Sequence, residues 1–433
     1  MKTTAMPEPQ RKLSATETEA AIRIIYISTA LYGILEILLV NGFMLLYFSA
    51  IGIPSERILL YLAIPGFNAI VTLLLFAQWT ERIGKVLTGV IGLSISTSSA
   101  VLLILCSVSG KHLVEPLILL SVSIYGVGFG IYLNSWFPML LTIIPGERRG
   151  RFFGTMRLIY QSVAIVFTFV VIWVLSKNAS IGIFQTFLAI SLILRIIGII
   201  LYTRIPELER NLHSKRTFIE SILHSVGSPG YMPFCSYVFL LSLFTGACVS
   251  LFSLLAKDTL GMSEGQVILI GNLTTLGALI GFFSGGMMVD RIGTKYVFLL
   301  CHFSFAIVLI LFLFRDFMFL PLIAVVGGLS LLFGLVQAAS GVAISSEMLA
   351  LTPADNKPMS TAICYSLILM GIALSGTICS RMLKLGMLSG SWTLLGSRLG
   401  AYDSLLLECG TMVLLLTVTL GLVPSVVKKV QWY

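Results

Sequence analysis

Glu36 stands in the run LYGILEILLVNGF, one acid in an otherwise uncharged stretch. Thr29, Tyr32, Glu36 and Phe43 follow i, i+3, i+7 and i+14 spacing, so on a helix they share a face. An ionisable side chain at mid-membrane costs about 2.5–3.5 kcal/mol to insert, and it marks a functional site by default. Exclusion from water disfavours the charged form, which suits an acid that takes up and releases a proton. The competing reading is a neutral acid hydrogen-bonded inside a helix bundle. Tyr125 and Tyr132 lie seven residues apart, with Asn134, Ser135 and Trp136 close behind. Rings with hydroxyl or amide neighbours suit stacking on a sugar or another neutral polar solute, although aromatic stripes also serve packing. Arg157 and Gln161, one turn apart with Tyr160 adjacent, suit an anionic or hydroxylated solute. Arg157 closely follows ERRGRFFG, so a reach back to lipid headgroups competes with that role. Thr245, Asn272 and Gln337 add uncharged hydrogen-bonding groups. Arg195, nine residues before Arg204, reads as a snorkelling side chain, and His302 and Glu408 read as interfacial.

The elements that hold these groups follow from composition. Of 433 residues, 57% are hydrophobic and 11% charged, far below the roughly 25% charge of a soluble domain. Apolar runs of about 20 residues span the hydrocarbon core as helices, because every backbone polar group is then paired internally. Twelve spans are predicted, at 22–50, 57–80, 86–108, 116–143, 153–176, 180–203, 232–256, 265–289, 295–314, 318–346, 358–383 and 404–427. They make an all-α polytopic membrane protein. A cytosolic N-terminal segment (1–21) precedes a six-helix bundle (22–203). A linker (204–231) leads to a second bundle (232–427) and a cytosolic C-terminus (428–433). The N-terminal segment lacks the apolar core of a signal peptide. Ser14 and Glu17, like Thr16 and Glu19, have the spacing of a capping box at the first helix.

With the N-terminus inside, nineteen of the 28 Lys and Arg fall in cytosolic segments and eight outside, which places both termini in the cytosol. The clusters Arg148, Arg149, Arg151 and Arg204, Arg210, Lys215, Arg216 carry this bias. The net charge of +9 fits contact with anionic lipid, and no basic stripe interleaved with aromatics suggests nucleic acid. The seven Cys have no metal-ligand spacing and read as small buried hydrophobes, so no metal is expected. Trp79, Trp173 and Trp432 fall near predicted interfaces, as anchoring aromatics do.

Two short charged loops repeat. GMMVDRIGTK runs from Gly286 to Lys295, and AQWTERIGK from Ala77 to Lys85, with Glu81 and Asp290 209 residues apart. A second signature agrees: Gly126 to Pro145 and Gly334 to Pro353 are both 19 residues, offset by 208. Each proline is followed by an acid and a base, Glu147 and Arg149 or Asp355 and Lys357. Two six-helix halves related by a repeat are a known transporter architecture.

On these residues the chain resembles the major facilitator superfamily, whose motif G-x-x-x-D-R-x-G-x-K/R lies between its second and third helices and again between the eighth and ninth. The second copy is intact here at Gly286, Asp290, Arg291, Gly293 and Lys295. The first is softened to Ala77, Glu81, Arg82 and Gly84, with Lys85 one position early. The resemblance implies a central cavity lined by helices 1, 4, 7 and 10, solute bound between the halves, and rocker-switch alternating access. The small residue permits close helix approach, and the acid can face a helix N-terminus. The arginine can reach an acid in another loop, Glu147 for Arg82 and Asp355 for Arg291, as a conformational latch. The bland alternative is a solvated loop with ordinary inside positives.

No zinc-binding H-E-x-x-H, G-x-S-x-G elbow or P-loop occurs, which argues against an enzyme and against built-in ATP hydrolysis. The reading is a secondary transporter of a small polar solute of the sugar or organic-anion class. It would be monomeric, without cofactor, driven by an ion gradient, with H+ favoured. A bacterial inner membrane is the expected location. A multidrug/proton antiporter is the runner-up, but the fifth span lacks the Gly-Pro pair of such relatives. Pro206-Glu207-Leu208-Glu209-Arg210 shares part of a sugar-porter motif after the sixth span. A non-transporting solute sensor is the third reading, and the short termini and linker offer it little.

Overall fold

The computed structural model describes residues 13–40, 43–53, 55–177, 180–208, 217–262, 264–388 and 391–421. The predicted N-terminal segment up to residue 12, the linker residues Glu209, Arg210, Lys215 and Arg216, and the C-terminal stretch with Trp432 lie outside the described residues. Among the described residues, eleven helices are long and apolar enough to cross a membrane, and Ile64–Leu75 is a shorter apolar stretch of helix at the remaining predicted span. The fold is all-α and polytopic.

Chain contacts divide the protein into two units. Unit 1 comprises residues 1–145, 162–219 and 355–362, and unit 2 comprises 146–161, 220–354 and 363–433. The short transposed segments, 146–161 and 355–362, begin 209 residues apart, the offset of the loop repeat. Unit 1 opens with α1 (Ala15–Tyr32), α2 (Ile34–Val40) and α3 (Phe43–Ala50), followed by α4 (Ser55–Leu75), α5 (Ala77–Ile83), α6 (Lys85–Cys106) and α7 (Lys111–Ile143). After α8 (Arg149–Lys177), which contributes to both units, comes α9 (Ile181–Tyr202). Unit 2 contains most of α10 (Phe218–Val226), then α11 (Tyr231–Thr245), α12 (Cys248–Leu254), α13 (Glu264–Ile292), α14 (Thr294–Leu311) and α15 (Leu322–Leu351). Most of α16 (Lys357–Lys384) and all of α17 (Ala401–Leu416) complete it.

Local chemistry sets several boundaries. Ser14 caps α1 in a complete capping box: its hydroxyl accepts from the Glu17 N–H at 3.3 Å, and its own N–H donates to the Glu17 carboxylate at 2.9 Å. The first span, predicted as one helix, is broken at Gly33, between α1 and α2. The predicted linker contains α10, whose outward face carries Ile219, Leu223 and Val226 while Ser221 and Ser225 are buried. Between α16 and α17 the sequence folds a hairpin that periodicity did not reveal: β1 (Trp392–Leu394) pairs antiparallel with β2 (Ser397–Leu399). Leu395 and Gly396 both have positive φ, at 49° and 95°, which is the backbone a two-residue hairpin turn demands.

The repeat is visible at atomic level. Gly84 sits between α5 and α6 with φ 104° and ψ 151°, and Gly293 between α13 and α14 with φ 83° and ψ 160°. This backbone region is essentially reserved for glycine, so the paired glycines reflect one loop geometry used twice. Likewise, a Cβ on Gly126 would meet the Pro65 carbonyl oxygen at 2.5 Å, and one on Gly334 the Thr274 oxygen at 2.0 Å. Both glycines therefore let a helix backbone lie directly on its neighbour. Gly293→Ala is expected to destabilise the protein by about 1–3 kcal/mol through strained φ; thermal unfolding of the detergent-solubilised variant checks this, and an unchanged midpoint would contradict it.

Candidate functional site

Within unit 1, a polar cluster forms where α1 gives way to α2. Gly33 caps α1, and its N–H returns to the Thr29 carbonyl at 3.0 Å. The carbonyl of Tyr32, at the break itself, accepts from Arg195 Nη1 at 2.6 Å. Arg195 Nε donates to Thr97 Oγ1 at 3.0 Å and Nη2 to Ser96 Oγ at 2.5 Å, both on α6. The same Nη1 is 3.9 Å from Glu36 Oε1, an ion pair within the spans, and the guanidinium carbon is 5.9 Å from the centre of the Tyr125 ring. A side chain that engages backbone at a helix break is a recognised cause of such breaks.

This corrects the reading of Arg195 as a snorkelling residue. Its side chain is fully buried, and its donors are taken by three oxygens on α1 and α6 rather than by lipid headgroups. Proximity to Arg204 suggested an interfacial position, but the helix rotation turns Arg195 inward. The available signal was its charge in an otherwise uncharged span, which by the ordinary membrane rule points to the bundle interior.

Hydroxyl groups complete the cluster. Tyr32 Oη bonds to Thr29 Oγ1 at 3.1 Å and to the hydroxyl of Tyr132. Tyr202, which the sequence reading missed, packs its ring edge-on to both Tyr32 and Tyr132, and its hydroxyl lies 3.3 Å from Ser135 Oγ. Of the predicted residues, Thr29, Tyr32 and Glu36 from one segment are thus joined by Tyr132, 100 positions beyond Tyr32, with Tyr125 over the arginine. Glu36 is partly exposed, its side chain at 18%. The arrangement holds a carboxylate beside a fixed cation, with a chain of bonded hydroxyls in the same unit. Asn134 is placed elsewhere: fully buried, its amide donates to the Leu73 carbonyl at 2.6 Å and ties α7 to α4.

Unit 2 carries separate polar centres. His302 on α14, expected at an interface, is instead fully buried. Its Nδ1 lies 2.5 Å from Tyr237 Oη on α11 and its Nε2 2.9 Å from Ser340 Oγ on α15. Two neighbouring helices supply partners for both ring nitrogens, so burial costs no hydrogen bond. Arg315 and Asp403 form a buried pair, with Nη2 to Oδ2 at 3.2 Å, and Arg315 also donates to the Phe312 carbonyl at 2.9 Å. Asp403 accepts the Gly400 N–H at 2.8 Å and so anchors the start of α17. Arg157 and Gln337 line one cavity of about 250 Å³ within this unit. Gln161 is half-buried on α8, Thr245 is buried with its hydroxyl on the Leu241 carbonyl at 2.8 Å, and Asn272 is exposed on α13. Thr245, Asn272 and Gln161 do not line that cavity.

The loop motif has a structural basis in unit 2. Asp290 Oδ2 accepts the Arg151 N–H at 2.8 Å in the first turn of α8, where an anion is favoured by the helix dipole. A Cβ on Gly286 would lie 2.7 Å from the Gly150 carbonyl oxygen, and one on Gly154 2.4 Å from that of Phe282. Gly286 is therefore small because α8 lies against α13 at backbone contact. Arg291 is exposed and Lys295 half-buried. In unit 1 Ala77 and Lys85 are buried, Glu81 is half-buried and Arg82 exposed. Glu207, on the predicted post-helix motif, accepts the Val86 N–H at 2.7 Å beside Lys85. The candidate acids Glu147 and Asp355 belong in each case to the other unit from their arginines.

Among the described residues, no group of three His, Cys, Asp or Glu could hold a metal ion, and the seven Cys are buried free thiols.

Comparison with curated proteins finds no match. Solved structures share the fold. A bacterial homologue of the iron transporter ferroportin, in an outward-facing state, aligns with a TM-score of 0.74 and 14% identity over 93% of this chain and 98% of that one. FucP, the E. coli fucose:proton symporter, in its outward conformation gives 0.71 and 14% over 94% and 99%. The proton:xylose symporter XylE gives 0.71 and 14% over 94% and 95%. The sequence profile of the Major Facilitator Superfamily matches residues 25–376, which agrees with the paired loops, the repeat and the membrane-spanning helices: the chain belongs to the Major Facilitator Superfamily of membrane transporters.

Proposed function

We propose that the protein is a secondary active transporter that moves a small polar organic solute, of the sugar or organic-anion class, with proton coupling at Glu36. The observation that carries this reading is the Glu36 carboxylate 3.9 Å from the buried Arg195 guanidinium at the α1–α2 break, in the same segment as the mutually bonded hydroxyls of Thr29, Tyr32 and Tyr132. Arg195 is held by three oxygens other than those of Glu36. The acid can therefore change its charge while the cation stays in place, as a repeating proton cycle requires. Alternating access would proceed by movement of the two halves. The contacts of Asp290 and Gly286 with α8 support a latch role for the charged loops, with Glu147 and Asp355 as the arginine partners. Proton symport by FucP and XylE is stated for those proteins, and it supports the same coupling here. The lysine and arginine bias supports termini in the cytosol, and the bacterial relatives support a bacterial inner membrane. The multidrug antiporter reading lacks a Gly-Pro pair in α8.

The test is reconstitution of the full chain in vesicles with an imposed proton gradient, using a dye for internal pH and candidate sugars and organic acids as solutes. Solute-dependent proton movement is expected in the wild type. Glu36→Gln should abolish it while solute exchange without a gradient persists. Undiminished proton-driven accumulation in the variant would remove Glu36 as the coupling acid.

A further inference from the structure

Arg157 and Gln337, 180 residues apart in sequence, line the same cavity of unit 2. Its other lining residues include Phe153 and Phe282, with Ser345 supplying a hydroxyl. Among the described residues, Arg157 is the one charged residue in this lining, and no acid shares it. An apolar hollow with a few polar groups is the usual build of a small-molecule site. A guanidinium offers two parallel N–H donors matched to a carboxylate, while an amide and a hydroxyl can orient the same group or a neighbouring one.

The walls are fixed by backbone contact. Phe153 is buried and adjoins Gly154, whose Cα faces the Phe282 carbonyl so closely that a Cβ would come within 2.4 Å. Gly286 and Gly150 repeat this contact one turn along, and Asp290 holds the start of α8 through the Arg151 N–H. The backbone segment carrying Phe153 and Arg157 is therefore pinned to α13, which sets the spacing of the cavity's walls, while the Arg157 side chain itself is exposed. Preorganisation of this kind reduces the ordering cost of binding.

We propose that this cavity binds a small monocarboxylate with an apolar body, the carboxylate on Arg157 and the body between Phe153 and Phe282. This names the substrate class within the transport reading of the preceding subsection and rests on it. Binding itself needs no gradient, so it can be tested apart from proton coupling.

The experiment uses the purified full chain in neutral detergent. Benzoate, uncharged benzamide and cationic benzylamine are compared by thermal shift and by equilibrium binding of labelled benzoate. Benzoate is expected to bind and stabilise, and the other two are not. Arg157→Gln should weaken benzoate at least tenfold, as loss of a charged hydrogen bond predicts, and Arg157→Lys should recover part of it. Where Arg157→Gln proves poorly folded, Ser345→Phe, which fills the hollow and leaves the arginine, should abolish binding while the protein stays monodisperse. Equal binding of benzamide, undiminished benzoate binding in Arg157→Gln, or no benzoate binding would each overturn the proposal. So would stabilisation by phosphatidylglycerol alone that depends on Arg157, since it would assign the arginine to lipid headgroups. Benzoate binding together with proton movement unaffected by Glu36→Gln would keep this site and overturn only the coupling acid.

Discussion

Arg195→Leu is expected to destabilise the protein by about 3–5 kcal/mol, because several buried acceptors are left unsatisfied at about 1–3 kcal/mol each. The substitution leaves the carbonyl of Tyr32 and the hydroxyls of Ser96 and Thr97 without the donors they now receive. It also leaves Glu36 without the cation 3.9 Å away. The two losses can be separated. In the double variant Arg195→Leu with Glu36→Gln, the uncompensated charge is gone but the three oxygens still lack the guanidinium. Part of the stability should return, and the size of that part measures the charge interaction. Thermal unfolding of the four proteins in detergent completes the cycle. If the double variant is no more stable than Arg195→Leu, then the arginine acts through its hydrogen bonds at the helix break and not through Glu36.

A second large loss is expected from Arg315→Leu, again about 3–5 kcal/mol, for a different structural reason. Arg315 and Asp403 are both buried, bonded to each other and each to backbone: the Phe312 carbonyl on one side and the Gly400 N–H on the other. Their pair fastens the segment after α14 to the start of α17. Replacing Asp403 by Asn as well should restore stability, since a neutral amide at that site can still accept the Gly400 N–H. Transport per folded molecule should be unaffected by Arg315→Leu, whereas Arg195→Leu should impair both folding and transport. An Arg315 variant that folds at wild-type stability would show that solvent reaches Asp403. A variant that folds but does not transport would give this pair a role in the cycle.

The two arginines illustrate what sequence reading can and cannot reach. Both are charges beside apolar runs, yet the sequence reading sends Arg195 to the headgroups and gives Arg315 no role. Neither reading considers which direction the helix presents. Arg195 is paired with residues 98, 99 and 163 positions away, and no local pattern encodes those partners. His302 was misplaced for the same reason. Its neighbours Tyr237 and Ser340 come from two other helices. Asn134 shows the reverse case: a polar residue one turn from Gly130 that looked suited to a solute is spent on the Leu73 carbonyl in the last turn of α4.

What the sequence by itself determined is whatever depends on short-range physics. The membrane-spanning helices follow from apolar length, because hydrocarbon tolerates only backbone that satisfies its own hydrogen bonds. The repeat follows from matched loops, and Gly84 and Gly293 are legible because only glycine adopts their backbone without strain. The importance of Glu36 follows from the cost of an acid in an apolar run. Tertiary structure alone decided the break at Gly33, the partners of Arg195, the meeting of Arg157 with Gln337, and which polar groups serve packing. Those outcomes depend on helix rotation and on which helices are neighbours. Both are set by close packing across long sequence separations, where small residues such as Gly126, Gly286 and Gly334 let backbones touch.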